Sequence, residues 1–157
     1  MSKFRLDEVD HQILDMLIDN TRVPFTDIAK KLLISAGTVH VRVKKMEDAG
    51  IILGSSLNLD YGKLDYHFTA FIGILLTKSN RTQEVLKELG TIPNVVEASV
   101  ISGKYNIFCK VKAKNTEDAK KIIYQIDDIQ DVMRTESMIS MEEFLSDKNR
   151  LINAISI

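Results

Sequence analysis

Between residues 35 and 50 the string SAGTVHVRVKKMEDAG gathers side chains suited to hydrogen bonding and ion pairing rather than to covalent chemistry. On a wheel of about 3.6 residues per turn, Ala36, Val39, Val43 and Met46 share one apolar stripe, the spacing of a face packed into a core. The opposite side carries Gly37, Thr38, Val41, Lys44 and Lys45, flanked by His40 and Arg42. Such a face suits a polyanionic surface. Small residues admit the backbone, valine offers methyl groups, and the bases match acidic groups. From Ile28 to Met46 the basic residues are Lys30, Lys31, Arg42, Lys44 and Lys45, with no Asp or Glu among them. A solvated helix face is the plainer alternative.

A second constellation lies at ISGKYNIF. A tight turn at Ser102, Gly103 and Lys104 exposes backbone N–H groups that, with the Lys104 ammonium, can hold an α-carboxylate. Asn106 adds a donor and an acceptor for a polar side chain or α-amino group. A plain turn with a solubilising lysine is the alternative. Catalysis has no comparable footing. His11, His40 and His67 are scattered, none stands at metal-ligand spacing from Cys109, and no phosphate-cradling glycine loop or nucleophile motif occurs. Asp127 and Asp128 point in different directions from one helix, and Cys109 lies in an apolar strand as a small core residue. No enzyme, metal or cofactor is expected.

Short helices must position the first constellation. Asp7 caps a helix carrying Val9, Ile13, Leu14, Leu17 and Ile18 at helical spacing, which fades at Asp19 and Asn20. Pro24 halts what precedes it, and Thr26 is expected to cap a second helix, TDIAKKLL, burying Ile28, Ala29 and Leu32. Ser35 caps the third, and Gly50 follows its last turn, where a left-handed residue is wanted. Two helices joined so tightly, with a third completing the core, form a helix-turn-helix, whose second helix enters the DNA major groove. The expected DNA-contacting set is Thr26, Ser35, Gly37, Thr38, His40, Val41, Arg42, Lys44 and Lys45. Thr38, His40 and Arg42 would meet base edges or phosphates, Val41 a thymine methyl, and Lys44 and Lys45 the backbone.

Beyond Gly50, IILGSSLNLD reads as an extended connector ending in a turn at Asp60, Tyr61 and Gly62. HFTAFIGILLT, VVEASVI, YNIFCKVKA and MRTESMISM read as strands. Gly103 and Lys104 suit a type II′ hairpin turn between the middle two. Helices fall at Thr82 to Leu89 and after Thr116, the expected cap of the second. Strand, helix, strand, strand, helix, strand is the ferredoxin-like order. The expected fold is α+β: a helix-turn-helix domain over 1–52, a linking strand and hinge over 53–64, and a ferredoxin-like domain over 65–157. In the first strand Phe68, Ala70, Ile72 and Ile74 share one face and Phe71, Gly73 and Leu75 the other. Two helices shelter only one apolar face, so a second copy of the chain is expected to cover the other.

The net charge of -1 and pI near 6.3 exclude a uniformly basic nucleic-acid binder but leave room for a basic patch. The apolar run around HFTAFIGILL is too short to cross a bilayer, MSKFRLDEVDHQ lacks the apolar core of a secretion signal, and one cysteine suits a reducing compartment. The chain is expected to stay in the cytosol, with no membrane partner.

The segments LDEVDHQIL, TDIAKKL, SAGTVHVRVKKMEDAGII, FIGILL and SGKYNIF together resemble the Lrp/AsnC, or feast/famine, family of prokaryotic transcription regulators, over nearly the whole chain. The third-helix string and SGKYNIF resemble its asparagine-responsive branch. The resemblance implies binding to double-stranded DNA, an amino acid effector, homodimers, and assembly of these into octamers. It places effector contacts at Ser102, Gly103, Lys104, Tyr105 and Asn106, and at Thr135, Met138, Ile139 and Ser140 on the last strand. Two departures stand out. Leu33 replaces the glycine of many members in the turn, and Lys104 replaces an acidic residue favoured by the leucine-responsive branch. The remaining alternatives are a metal- or other small-molecule-responsive repressor and an effector-independent architectural DNA-binding protein.

Overall fold

The first helix, α1 (Glu8–Asp19), starts where a reciprocal cap makes it start. The Asp7 carboxylate accepts the Asp10 N–H at 2.9 Å, and the Asp10 carboxylate accepts the Asp7 N–H at 3.2 Å. Helix α2 (Phe25–Leu32) begins one residue before the expected Thr26 cap. Pro24 is its N-cap: its extended backbone turns its carbonyl to the N–H groups of Asp27 (2.9 Å) and Ile28 (3.2 Å), leaving Thr26 inside the first turn with no capping bond. Leu33 then adopts a left-handed φ of 57° in the turn, a conformation that costs a non-glycine residue about 1–2 kcal/mol. In α3 (Ala36–Asp48) the Ser35 hydroxyl accepts the Thr38 N–H at 3.0 Å. The helix closes as expected, with Gly50 at φ 71° and the N–H groups of Gly50 and Ile51 bonded to the carbonyls of Glu47 and Met46, each at 2.9 Å.

The computed structural model describes residues 4–147 and 149–154, and its chain divides into two compact units: Met1–Asn58 with Leu145–Ile157, and Leu59–Phe144. Ile13, Leu14, Ile28, Ala29, Val39, Val43 and Met46 form the core of the first unit. Each fully buried Ile, Val or Met there contributes about 1.5–3 kcal/mol of transfer free energy. A 3-10 turn, Arg150–Ala154, belongs to the same unit: Ile152 packs against its core and accepts a hydrogen bond from His11 Nε2 at 3.1 Å. The expected division, with 65–157 in one domain, therefore differs at the C-terminal end. The short apolar run RLINAISI carries no local signal of which unit it packs against.

The connector also differs from the expected linking strand. Residues 53–60 form no ladder with any described strand, and Gly62–Leu64 make a 3-10 turn. An extended segment becomes a strand only when a neighbour meets its N–H and C=O groups. Leu53 stays 93% exposed and Leu57 75%.

The second unit is an antiparallel sheet with two helices on one face. Strands β1 (Phe68–Leu76), β2 (Val95–Val100), β3 (Ile107–Ala113) and β4 (Val132–Ile139) lie in the order β2-β3-β1-β4, with helices α4 (Thr82–Leu89) and α5 (Thr116–Asp127) in the crossovers. This is the ferredoxin-like arrangement. Alternation sends Ile72, Ile74, Ile107, Cys109 and Val111 into a core with Val85, Leu89, Ala119, Ile122 and Ile126 from the helices. Asn115 rather than Thr116 caps α5, its side-chain oxygen accepting the Asp118 N–H at 2.9 Å. Asparagine's short amide reaches the third helical N–H from just outside the helix.

The expected two-residue hairpin also opens out. The register centres on Gly103, at φ 119°, and Lys104, but the ladder ends at Val100 and Ile107. Asn106 still bonds both neighbours there: its carbonyl accepts the Ile101 N–H at 3.2 Å, its backbone N–H donates to Ile74 O at 2.9 Å, and its Oδ1 accepts the Leu76 N–H at 2.9 Å, beside the shift of the β1–β4 register at Leu75 and Leu76.

Candidate DNA and effector surfaces

On α3, burial of Val39, Val43 and Met46 turns the other side outward. Gly37, Thr38, His40, Val41, Lys44 and Lys45 are all exposed there, the aliphatic Val41 at 52%. Their states differ. The hydroxyls of Ser35 and Thr38 share a hydrogen bond of 2.8 Å, and the His40 ring stands edge-on to Phe25 at 6.1 Å. Lys44 pairs with Asp48 at 2.9 Å, which raises its pKa. Lys45 has no ion-pair partner among the described residues. Thr26 is exposed on α2.

Arg42 stands apart from the set with which the sequence grouped it. Its Nη1 donates to Asp7 Oδ2 and to Asp10 Oδ1, each at 2.7 Å, which ties α3 to the start of α1. Asp10 is buried, and the pair of carboxylates raises the Arg42 pKa, the Asp7 bond contributing most. Asp7 is held below the ordinary carboxylate range, first by the Asp10 N–H and then by Arg42. In the sequence these partners are 35 and 32 residues away, so helix-face reasoning could not find them.

The effector set divides between two faces of the second unit. Tyr105 folds over Gly73, where an added Cβ would lie 2.7 Å from its ring carbons, and its O–H donates to Glu136 Oε2 at 2.7 Å. Lys104 donates to the same oxygen at 2.6 Å and lies 5.1 Å from the Tyr105 ring centre. These contacts hold Glu136 below its ordinary pKa, Lys104 first and Tyr105 second. Met138 shares this open face, opposite Phe71 in the ladder, and Phe71 stacks on Phe108 at 5.9 Å. Ser102 and Gly103 are exposed at the loop tip.

Thr135 and Ile139 lie on the other face of β4, opposite Ile74 and Ala70 in the ladder, and the Thr135 hydroxyl donates to Asp127 at the end of α5 at 2.7 Å. Ser140 donates its N–H to Thr69 O at 2.9 Å. Asn106, with Oδ1 committed to Leu76, offers less acceptor capacity than the sequence suggests. Glu136 was missed. The alternation of RTESM, which sets Arg134, Glu136 and Met138 on one side, was the available signal.

Cys109 is buried, and desolvation pushes its thiol up to about 11, which suits a packing role. No group of three or more His, Cys, Asp or Glu among the described residues could hold a metal ion, and no described helix is long and apolar enough to cross a membrane.

Residues 6–52 match a winged helix-turn-helix DNA-binding family, and residues 69–149 match the Lrp/AsnC ligand binding domain. Regulatory protein AsnC of Haemophilus influenzae is 37% identical over 138 residues, covering 87% of this chain and 92% of that protein. The chain belongs to the Lrp/AsnC family. The solved structure of E. coli AsnC, 32% identical, superposes with a TM-score of 0.88 over 92% of this chain and 97% of that one. A feast or famine regulatory protein from M. tuberculosis complexed with L-methionine shares the fold at 22% identity and a TM-score of 0.84, over 92% and 97% of the two chains. As an Lrp/AsnC protein, the chain is a DNA-binding transcription regulator with an effector domain of the family's amino-acid-binding type. Its named relatives are regulatory proteins.

Proposed function

We propose that the outward face of α3 lies in the major groove and that a small amino acid, bound at the second unit, sets the regulator's assembly or DNA affinity. The observation that carries the first half is the division of α3 itself: Val39, Val43 and Met46 are fully or nearly fully buried while Gly37, Thr38, Val41 and Lys45 stay open. In this reading Thr38 and His40 address base edges, Val41 a thymine methyl, and Lys44 and Lys45 phosphates. Arg42 clamps the helix to the start of α1 at the edge of the same face. Paired copies would set two such helices about one DNA turn apart on a roughly palindromic site.

Asparagine is the first candidate effector, supported by the relatives named AsnC; methionine is the second, supported by the methionine complex of a family fold. Lys104, Tyr105 and Glu136 form the polar cluster nearest the loop tip. A second copy covers the open sheet face, with assembly up to the octamer, and the protein works in the cytoplasm. A mobility-shift assay on the DNA upstream of the protein's own coding sequence tests the groove. A thermal-shift screen over the amino acids tests the effector, which should raise the melting temperature at millimolar concentration. Failure of every amino acid, together with unchanged regulation in Gly103 and Asn106 variants, would remove the effector from the account.

A further inference from the structure

Asp7 holds its two oxygens to different tasks. Oδ1 accepts the Asp10 N–H at 2.9 Å and caps α1, whereas Oδ2 faces Arg42 Nη1 at 2.7 Å. The Asp7 side chain is 54% exposed, Arg42 28% and Asp10 only 6%. Arg42 is therefore anchored from the inside by Asp10 and met from the outside by a carboxylate that water reaches. That outer pair lines a surface hollow of about 730 Å³ together with Arg5, Thr38, Val41 and Lys45. The hollow is continuous with the α3 face, so a duplex seated on that face brings phosphates to the rim where Asp7 meets Arg42.

We propose that Arg42 exchanges Asp7 for a DNA phosphate when the duplex seats, with Asp10 keeping the guanidinium in place. A phosphate oxygen and a carboxylate oxygen are equivalent monoanionic acceptors for a guanidinium, which has donors enough for Asp10 and one more anion. Asp7 is then a built-in competitor: it balances Arg42 in the free protein, and its charge opposes every duplex regardless of sequence. By weakening backbone attraction it leaves discrimination to the base-edge contacts of α3. The cap survives the exchange, because Oδ1 is not involved. This rests on the reading that α3 faces DNA.

Asp7→Asn separates the two oxygens' tasks, since asparagine caps a helix as well as aspartate does but cannot pair with Arg42 as an anion. Binding of a duplex of arbitrary sequence by the intact protein is measured against salt for the wild type, D7N and Lys45→Gln. The expected result is tighter binding by D7N, with a slope in log salt steeper by up to about 0.9, because Arg42 meets a phosphate in both proteins but only the wild type frees a carboxylate that takes a cation back from solution. Affinity then falls up to about 3.5-fold more between 50 and 200 mM salt than in the wild type. K45Q should flatten the slope by a similar amount. An unchanged D7N slope beside a flattened K45Q slope overturns the exchange alone; an unchanged K45Q overturns the α3 face, and the exchange with it. The D7N gain should vanish in D7N/Arg42→Gln; if it persists there, Asp7 acts only through its charge and the exchange is wrong. Should that double variant fail a circular-dichroism check of folding, the Arg42 side-chain 15N signal of the wild type decides. It should shift on adding duplex, and an unmoved signal overturns the exchange.

Discussion

The outward side of α3 and the open face of the β-sheet are both half-apolar surfaces of one chain, yet they differ in how far their cations are paired. On α3, Lys45 is left without a partner among the described residues and Lys44 has only an exposed pair with Asp48. On the sheet, cations are braced by nearby carboxylates. Lys110 and Lys112 both reach Glu143, and Lys104 and Arg134 both reach Glu136. These ties sit among Phe71, Phe108 and Tyr105. A surface that meets a polyanion gains by keeping cations available, because each one neutralises a phosphate and releases a counterion. A surface that another protein copy covers must not bury an unpaired charge, whose desolvation costs several kcal/mol, so its charges arrive already matched. In the proposed reading the contrast sets a DNA face apart from a protein face without reference to shape.

Four substitutions or conditions can break or sharpen this contrast. The largest effect belongs to Arg42→Met, which leaves Asp10 buried without its cation; the helical unit should lose about 3 kcal/mol, read as a lower denaturation midpoint. Loss of DNA affinity with unchanged stability would instead make Arg42 a DNA contact alone. Next, Gly73→Val should cost the sheet unit about 2 kcal/mol by lifting Tyr105 from its seat, seen in chemical denaturation, while DNA contacts on α3 stay intact. Thr38→Ala should reduce discrimination between preferred and mismatched sites by about 1 kcal/mol in competition binding, while the salt slope stays unchanged.

The smallest effect concerns acid. The folded Asp7 carboxyl titrates below its ordinary value of 3.8, so its contribution is present above that value and is lost as the pH falls through the folded one. Half-exposed, it contributes less than about 1 kcal/mol. Heat-melt midpoints between pH 5 and pH 2 should therefore fall slightly more in the wild type than in D7N.

What could be read from the sequence was what depends on near neighbours. Helical and alternating periods placed all five helices and four strands, and the caps at Asp7 and Ser35 and the stop at Gly50 follow from local chemistry. The caps at Thr26 and Thr116 failed because the adjacent Pro24 and Asn115 compete for the same position, and the backbone geometry decides between them. Contacts across long separations were out of reach. The Asp7 and Asp10 partners of Arg42 were invisible because helical spacing shows which way a side chain points but not what another helix brings to meet it. The close seat of Tyr105 on Gly73 and the bond of the Asn106 side chain to Leu76 are likewise products of strand pairing. The expected effector residues divided for a related reason: a strand of period two sends Thr135 and Met138 to opposite faces, whatever their proximity along the chain.

Lysine-acetylation footprinting with and without a duplex of arbitrary sequence at low salt tests the central claim most directly, because backbone contacts need no known operator. Bound DNA should slow acetylation of Lys44 and Lys45 and leave Lys120 and Lys121, exposed on α5, at their unbound rates. Equal rates at Lys44 and Lys45 in the two states, with protection appearing on α5 instead, would contradict the account.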